Sequence, residues 1–198
     1  MTDKKLIIFV KNEELGHVKT RLAKAIGDEK ALLAYQKLIE VTARQAAKLQ
    51  VKKEVWYSSY IAGNDSWDEQ QFTKKLQKGA DLGERMSHAF KEAFEEGIKK
   101  AVIIGSDCAD LTAEILQEAF NALDDADFVV GPAEDGGYYL LGMRRYNPEL
   151  FQGISWSTGS VLESTKDRIA EIGGVIYQLQ LLNDVDTIDD WERVKDHL

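Results

Sequence analysis

The chain is poor in the residues that make disulfides, metal clusters and kinks. Its single cysteine, Cys108, cannot form an internal disulfide or a cysteine-rich zinc site. Its three histidines, His17, His88 and His197, stand too far apart for metal-ligand spacing. Only two prolines occur, Pro132 and Pro148, and no linker, internal repeat or low-complexity tract interrupts the chain. Long hydrophobic runs are missing as well. The first apolar run, Leu6 to Val10, is far short of the roughly 20 residues that cross a bilayer. It is also too short for a signal-peptide core, and no small-residue cleavage site follows it. Positive charge is in deficit: 25 Lys and Arg face 34 Asp and Glu, a net charge of −9. That balance argues against a nucleic-acid or membrane-surface partner, although a local basic patch can still hold phosphates. The expectation is a cytoplasmic protein.

What is present suits a folded core. Of the 198 residues 44% are hydrophobic and 30% charged, a composition that predicts one globular domain over residues 1–198. Leu6 to Val10, Ala101 to Ile104 and Phe128 to Val130 read as strands buried on both faces, as in a parallel sheet. Glu54 to Ser58, Val175 to Leu179 and Gly137 to Met143 are further strand candidates. Between them lie amphipathic segments. Asp28 is placed to cap a helix running to about Leu49, with Leu32, Tyr35, Ile39, Thr42 and Ala46 on one face. Others run from Leu82 to Glu96, from a Thr112 cap through Leu123, and over Val161 to Ile172. Thr187-Ile188-Asp189-Asp190 resembles a capping box. Strand–helix alternation of this kind predicts a three-layer α/β/α fold with a mostly parallel central sheet. Ligands of such sheets bind beyond the carboxyl ends of the strands, so the loops after Val10, Ile104 and Val130 are where chemistry is expected.

The first of these loops holds Gly16-His17-Val18-Lys19-Thr20-Arg21-Leu22. Lys19 and Arg21 offer phosphate ligands beside a flexible glycine. The same residues also suit a solvated turn, and no Walker pattern is present. The second loop holds Gly105-Ser106-Asp107-Cys108-Ala109-Asp110. A carboxylate just after a buried strand suits a hard divalent cation that keeps substrate phosphate oxygens as ligands. Asp107 and Asp110 can equally end a strand and begin a helix. Cys108, flanked by both, reads as a packing residue, since a nucleophilic thiol needs a positive field. The third loop holds Gly131-Pro132-Ala133-Glu134-Asp135-Gly136-Gly137-Tyr138. Asp135 can serve as a base or hydroxyl acceptor, and Asp-Gly is also a hairpin signal. Near the end, Asp184 and Asp186 alternate in an extended segment and so share a side. Ser157 or Thr158 is a possible helix cap. Trp156 beside them suits packing or contact with a sugar or base. Arg85, in Asp81-Leu82-Gly83-Glu84-Arg85-Met86, is expected to pair with Glu84 or Asp81.

Taken together, Val18-Lys19-Thr20-Arg21-Leu22, Asp81 to Met86, Gly105-Ser106-Asp107-Cys108, Gly131 to Tyr138 and Trp156-Ser157-Thr158 form one pattern, and Asp184-Val185-Asp186-Thr187 extends it. The pattern resembles the bacterial rSAM/selenodomain-associated transferase 1 family, which is similar to phospholactate and molybdenum-cofactor guanylyltransferases. The resemblance covers almost the whole chain. It implies the nucleotide-diphospho-sugar transferase (glycosyltransferase A) fold, with Asp107 and either Asp186 or Asp184 as ligands of Mg²⁺ or Mn²⁺. Gly16, Lys19 and Arg21 then hold a triphosphate. The full nucleotide-binding set is Gly16, Lys19, Thr20, Arg21, Ser106, Gly136 and Gly137. The catalytic set is Asp107, Asp135, Lys19 and Arg21. The chain departs from the family in two places. Lys11-Asn12-Glu13-Glu14-Leu15-Gly16 replaces a Lys-x-Pro-x-Pro-Gly pattern, and Ala109 stands where the family has Pro. The implied partners are a nucleoside triphosphate or nucleotide sugar and a small-molecule acceptor. Nucleotidyl transfer is favoured by the Lys-Thr-Arg loop and glycosyl transfer by the acidic loop at 133–135. A nucleotide-binding module without turnover is the alternative.

Overall fold

A computed structural model describes residues 2–198. The central strand β1 (Lys4–Val10) alternates its side chains across the sheet. Leu6, Ile8 and Val10 enter one core, while Ile7 enters the other. On one face lie α2 (Asp28–Ala47) and α4 (Ala113–Ala122), which bring Tyr35, Ile39, Leu116 and Phe120 to the larger core. On the other lie α3 (Leu82–Glu95) and α5 (Val161–Glu171), contributing Met86, Phe90 and Ile169.

Beside β1 run β2 (Lys52–Tyr57) and β4 (Lys100–Ile104), both parallel to it. The edge strand β3 (Thr73–Leu76) extends the parallel half. Beyond β4 come β6 (Tyr138–Met143), β5 (Phe128–Pro132) and β7 (Ile176–Gln178). The order is β3-β2-β1-β4-β6-β5-β7, and β6 runs antiparallel to both its neighbours. The sheet is therefore mixed, with a mostly parallel body. Two short helices, α1 (Thr20–Ile26) and α6 (Ile188–Val194), pack against α2 through Leu22, Ala34, Leu38 and Val194. A 3-10 turn covers Pro148–Phe151.

Several expectations change in detail. Asp28 is the first residue of α2, not its cap. Gly27 (φ 88°, ψ 156°) takes the capping place, and the Asp28 charge sits in the first turn, where the helix dipole favours it. Neither Ser157 nor Thr158 caps α5; Ser160 holds that position, and the Thr158 hydroxyl donates to the Ser155 carbonyl at 2.7 Å. Thr112 and Thr187 do cap their helices, Thr187 in a full capping box with Asp190. No apolar run marks β3 in the sequence, because it is an edge strand spelled Thr-Lys-Lys-Leu. Nor is α1 marked, because seven residues give too little periodicity.

Candidate functional site

The loop after β1 is pinned before it reaches the site. The buried Asn12 side chain donates to the Tyr60 carbonyl (2.8 Å) and accepts from the Ser59 and Tyr60 amides. This side chain anchors the loop after β1. Glu13 accepts from the Gln36 side-chain amide at 2.9 Å and lines an adjoining cavity with Val10 and Lys11, and Glu14 lies 4.0 Å from His17; neither acid lines the two cavities that include Asp107.

Val18 and Leu22 are buried anchors on either side of Lys19. Lys19 adopts the left-handed region (φ 48°, ψ 43°), which non-glycine residues seldom occupy and which concentrates at functional positions. That conformation turns its side chain inward. Its ammonium lies 2.9 Å from Asp107 Oδ1 and 3.2 Å from Asp186 Oδ1, and Arg21 approaches Asp186 at 3.6 Å. Burial works to lower the Lys19 pKa, but the charges of Asp107 and Asp186 outweigh it and raise it. Lys19 therefore stays a cation. Thr20 is exposed at the start of α1, and the Arg21 side chain is 73% exposed.

Asp107 follows β4, as its loop position requires. The late segment reaches it through a backbone bond: the Val185 amide donates to the Asp107 carbonyl at 2.9 Å. Val185 itself is fully buried against Leu38 and Val194, which holds Asp184 and Asp186 on either side of it. Asp186 takes the cations. Asp184 makes no hydrogen bond or ion pair among the described residues. Burial, and next the Asp107 charge, push its carboxyl up to about 7. Ser106 is buried and shares a 3.1 Å hydrogen bond with the Tyr35 hydroxyl, which accepts from the Lys11 amide at 2.9 Å. Burial, and then the negative Asp107, keep the Tyr35 phenol well above its ordinary range. Burial pushes the Cys108 thiol up to about 12, in agreement with a packing role.

Two neighbouring cavities share Lys11, Tyr35 and Asp107 in their walls. The smaller, ≈ 110 Å³, is lined by Val18, Lys19, Thr20, Arg21 and Asp186. The larger, ≈ 330 Å³, opens over the ends of β1, β2 and β4 and the start of β6. Its wall is mostly apolar, with Phe9, Leu82, Met86, Tyr138 and Leu141, and it includes Ser106 and Asp184. That volume falls at the small end of the usual range for ligand sites.

Other members of the motif set serve the walls. An ideal Cβ on Gly83 would fall 2.2 Å from the Trp156 indole nitrogen. Trp156 thus packs on α3, stacked with Phe151, and lines neither cavity. Gly136 (φ 86°) would meet the Gly159 carbonyl at 2.1 Å, so its lack of a side chain lets two loops touch. Asp135 sits exposed at the tip of the β5–β6 hairpin, where its carboxylate accepts from the Gly137 amide at 2.8 Å. It stands on the Asp107 end of the sheet, near enough for its charge to raise Asp184. Gly16, Gly136, Gly137 and Asp135 line neither cavity.

Arg85 differs from expectation. It pairs with no acid within 4.0 Å among the described residues, and it lines the larger cavity instead. Asp81 is occupied as the α3 cap, and Glu84 accepts from the Ala80 amide. Tyr35, Gln77 and Lys11 were missed as site residues. The Tyr35 hydroxyl at an otherwise apolar helix position was the one signal available.

The mixed α/β fold with its seven-stranded central sheet matches nucleotide-diphospho-sugar transferase-like structures. The chain belongs to the family "Uncharacterized protein conserved in bacteria (DUF2064)", whose model matches residues 41–158. It is similar over its whole length to a "putative nucleotide-diphospho-sugar transferase" from Desulfovibrio desulfuricans. The identity is 33% and the TM-score 0.92, with 89% of that chain covered. CMP:2-keto-3-deoxy-manno-octonic acid synthetase, solved with CTP, shares the fold at 11% identity and TM-score 0.57, with 97% of each chain covered. So does a manganese complex of Rv0371C from Mycobacterium tuberculosis, at 14% identity and TM-score 0.51 over the full length of both. No curated protein matches the chain.

Proposed function

We propose that the chain is a metal-dependent nucleotidyltransferase of the rSAM/selenodomain-associated transferase 1 type. One observation carries the reading. Lys19, held between Asp107 and Asp186 with Arg21 beside it, lines a small polar pocket that shares the Asp107 wall with a larger apolar cleft. This arrangement suits a triphosphate in the first and the rest of the substrates in the second.

The residues fit a hard divalent cation. Asp107 with Asp186 or Asp184 supplies oxygen ligands, and Asp184 is a carboxylate without a cation of its own. No group of three ligating side chains assembles among the described residues. Mg²⁺ and Mn²⁺ take one or two carboxylates and complete their shell with phosphate oxygens and water. When bound, the metal would supply charge neutralisation on the phosphates.

The chain's own residues do the rest. An oxygen of an acceptor phosphate, already deprotonated, attacks the α-phosphorus of a nucleoside triphosphate. The bond from that phosphorus to the β-bridging oxygen breaks, and pyrophosphate leaves. Lys19 and Arg21 stabilise the charge on the leaving group, worth most in a site from which water is excluded. The Tyr35–Ser106 pair holds the Asp107 loop against the loop after β1. No covalent enzyme intermediate is required, so positioning does most of the work.

Glycosyl transfer is the second reading. It is favoured by Asp135, an exposed carboxylate at the same sheet end and available as acceptor base. Thermal shifts with the four nucleoside triphosphates and with UDP- and GDP-sugars, each with and without Mg²⁺ or Mn²⁺, separate the two. Metal-dependent stabilisation by a triphosphate, lost in Asp107→Ala, is the expected result. Stabilisation by nucleotide sugars alone would transfer the case to glycosyl transfer. No stabilisation by either class would leave a module without turnover.

A further inference from the structure

The two edges of the sheet are finished differently. The β3 edge carries Lys74 and Lys75, the kind of charge that keeps an edge strand from pairing with another chain. The β7 edge lacks such protection. From Ile172 to Asn183 no residue is charged and none is proline, in a chain of net charge −9. The run stays against the sheet beyond β7 itself, since the Leu182 amide donates to the Pro132 carbonyl at 3.1 Å.

The backbone of this edge is open in a regular way. The Val175 carbonyl accepts from the Phe128 amide at 3.0 Å, and the Leu179 amide donates to the Val130 carbonyl at 2.9 Å. With Tyr177 in register with Val129, residues 175, 177 and 179 turn their polar groups toward β5. Alternation therefore points the N–H and C=O of Ile176 and Gln178 away from the sheet, on either side of Tyr177. The side chains alternate too. Leu179 enters the larger core and the Tyr177 hydroxyl donates to Glu118 of α4 at 2.9 Å, so Val175, Tyr177 and Leu179 share the α4 face. Yet Val175 is 57% exposed and Tyr177 42%, because α4 stops short of covering the outermost strand.

We propose that β7 pairs with β7 of a second copy of this chain, antiparallel about a two-fold axis at Tyr177, joining two sheets into one. Symmetry and charge select this occupant. An antiparallel copy centred on Tyr177 sets Ile176 opposite Gln178 of the partner subunit, and the reverse. The outward groups of each such pair then exchange both of their N–H···O=C bonds. Tyr177 faces Tyr177 of the partner subunit as a non-hydrogen-bonded pair, where cross-strand side chains approach most closely. The contact is self-complementary, as a two-fold interface must be. Two chains of net charge −9 repel where their acids meet, and an uncharged strand lets a second copy approach without that repulsion. Nothing in the strand itself recruits a charged partner. Between β7 and β4, which leads into the Asp107 loop, stand β5 and β6, so the pairing is independent of the nucleotide reading.

Sedimentation equilibrium on the full chain reads the pairing. Wild type is expected to show a monomer–dimer equilibrium in the micromolar range, since a single strand pair belongs with the small, transient interfaces. Gln178→Pro removes an outward N–H and leaves the bonds to β5 in place, as edge strands tolerate. Tyr177→Glu sets two carboxylates face to face. Both variants are expected to remain monomeric, with circular dichroism and melting curves to check that they fold. Tyr177→Cys reads the register. The Cα atoms of a non-hydrogen-bonded pair lie about 4.5 Å apart, within disulfide reach, so oxidation by diamide should give a covalent dimer. Val175→Cys stands opposite Leu179 of the partner subunit and should not link to itself. Native Cys108 is buried, which keeps the background low. The proposal is overturned if wild type is a monomer at hundreds of micromolar, or if Gln178→Pro dimerises as wild type does. The latter result together with a monomeric Tyr177→Glu would leave an apolar contact without strand pairing. Linkage of Val175→Cys as readily as Tyr177→Cys would overturn the two-fold at Tyr177.

Discussion

The Lys19 ammonium lies 2.9 Å from the Asp107 carboxylate, and the same ammonium holds Asp186 at 3.2 Å. A protein cation thus occupies the space between two carboxylates that a divalent cation would also seek. On the proposed function, metal and lysine would compete there, and a triphosphate would resolve the competition by offering Lys19 another anion. Lys19→Met is therefore expected to bind Mn²⁺ more tightly than wild type in the absence of nucleotide, and triphosphate less tightly. Its melting temperature should rise more steeply with Mn²⁺, because the ion replaces a lost positive charge. Calorimetry and thermal shift read both. Equal Mn²⁺ affinity in the two proteins would show that Lys19 and the metal do not share a place.

Arg21 is mostly exposed, and its 3.6 Å contact with Asp186 adds little to the fold. Arg21→Ala should melt within error of wild type. It should nonetheless lose ~1.5–3 kcal/mol of triphosphate binding, the range for a hydrogen bond to a charged group. Unchanged triphosphate affinity would leave the residue as ordinary surface.

Asp184 gives the pH dependence. Its folded carboxyl is raised from 3.8 to about 7, by burial first and by Asp107 next. Between those values the folded chain holds a proton that the unfolded chain has released. The resulting stability is fully present below about pH 4 and is lost as pH rises through about 7. In metal-free buffer, wild type should therefore lose stability relative to Asp184→Asn across this window. Denaturant titrations at several pH values check the sign, and parallel curves for the two proteins would refute it.

Asp135→Asn keeps a side-chain oxygen for the Gly137 amide, so the hairpin should stand. If Asp135 is an acceptor base, kcat falls while KM holds, because a base needs its charge. If it only accepts a hydrogen bond from the donor, KM rises instead. Steady-state rates on the identified substrates decide between them.

Gly83→Ala tests the packing of Trp156. Alanine in a helix ordinarily stabilises by up to ~1 kcal/mol over glycine. Here the added methyl would lie 2.2 Å from the indole, so the substitution should instead cost about 1–3 kcal/mol. In a Trp156→Leu background the same change should become favourable. A stabilised Gly83→Ala single variant would contradict the close contact.

Much of this protein was legible along the chain. Runs such as Leu6 to Val10 and Ala101 to Ile104 must hide both faces from water, so they declare a central parallel sheet without knowledge of their neighbours. Thr112 and Thr187 announce their helices because capping is local, decided within four residues. A strand end followed by Gly-Ser-Asp already placed Asp107 at the edge where α/β sheets hold ligands. Tertiary structure decided what those local rules cannot reach. The Val185–Asp107 backbone bond joins residues far apart in sequence and brings Asp184 and Asp186 to the site. Gly136 reads as open space for a ligand, yet it and Gly83 are each a seat for another part of the chain. Arg85 looked paired with its neighbours because charge pairing is short-ranged in sequence. Only the fold, by spending Asp81 and Glu84 on α3's first turn and fixing Gln77 to two strand ends, leaves that cation facing the cleft.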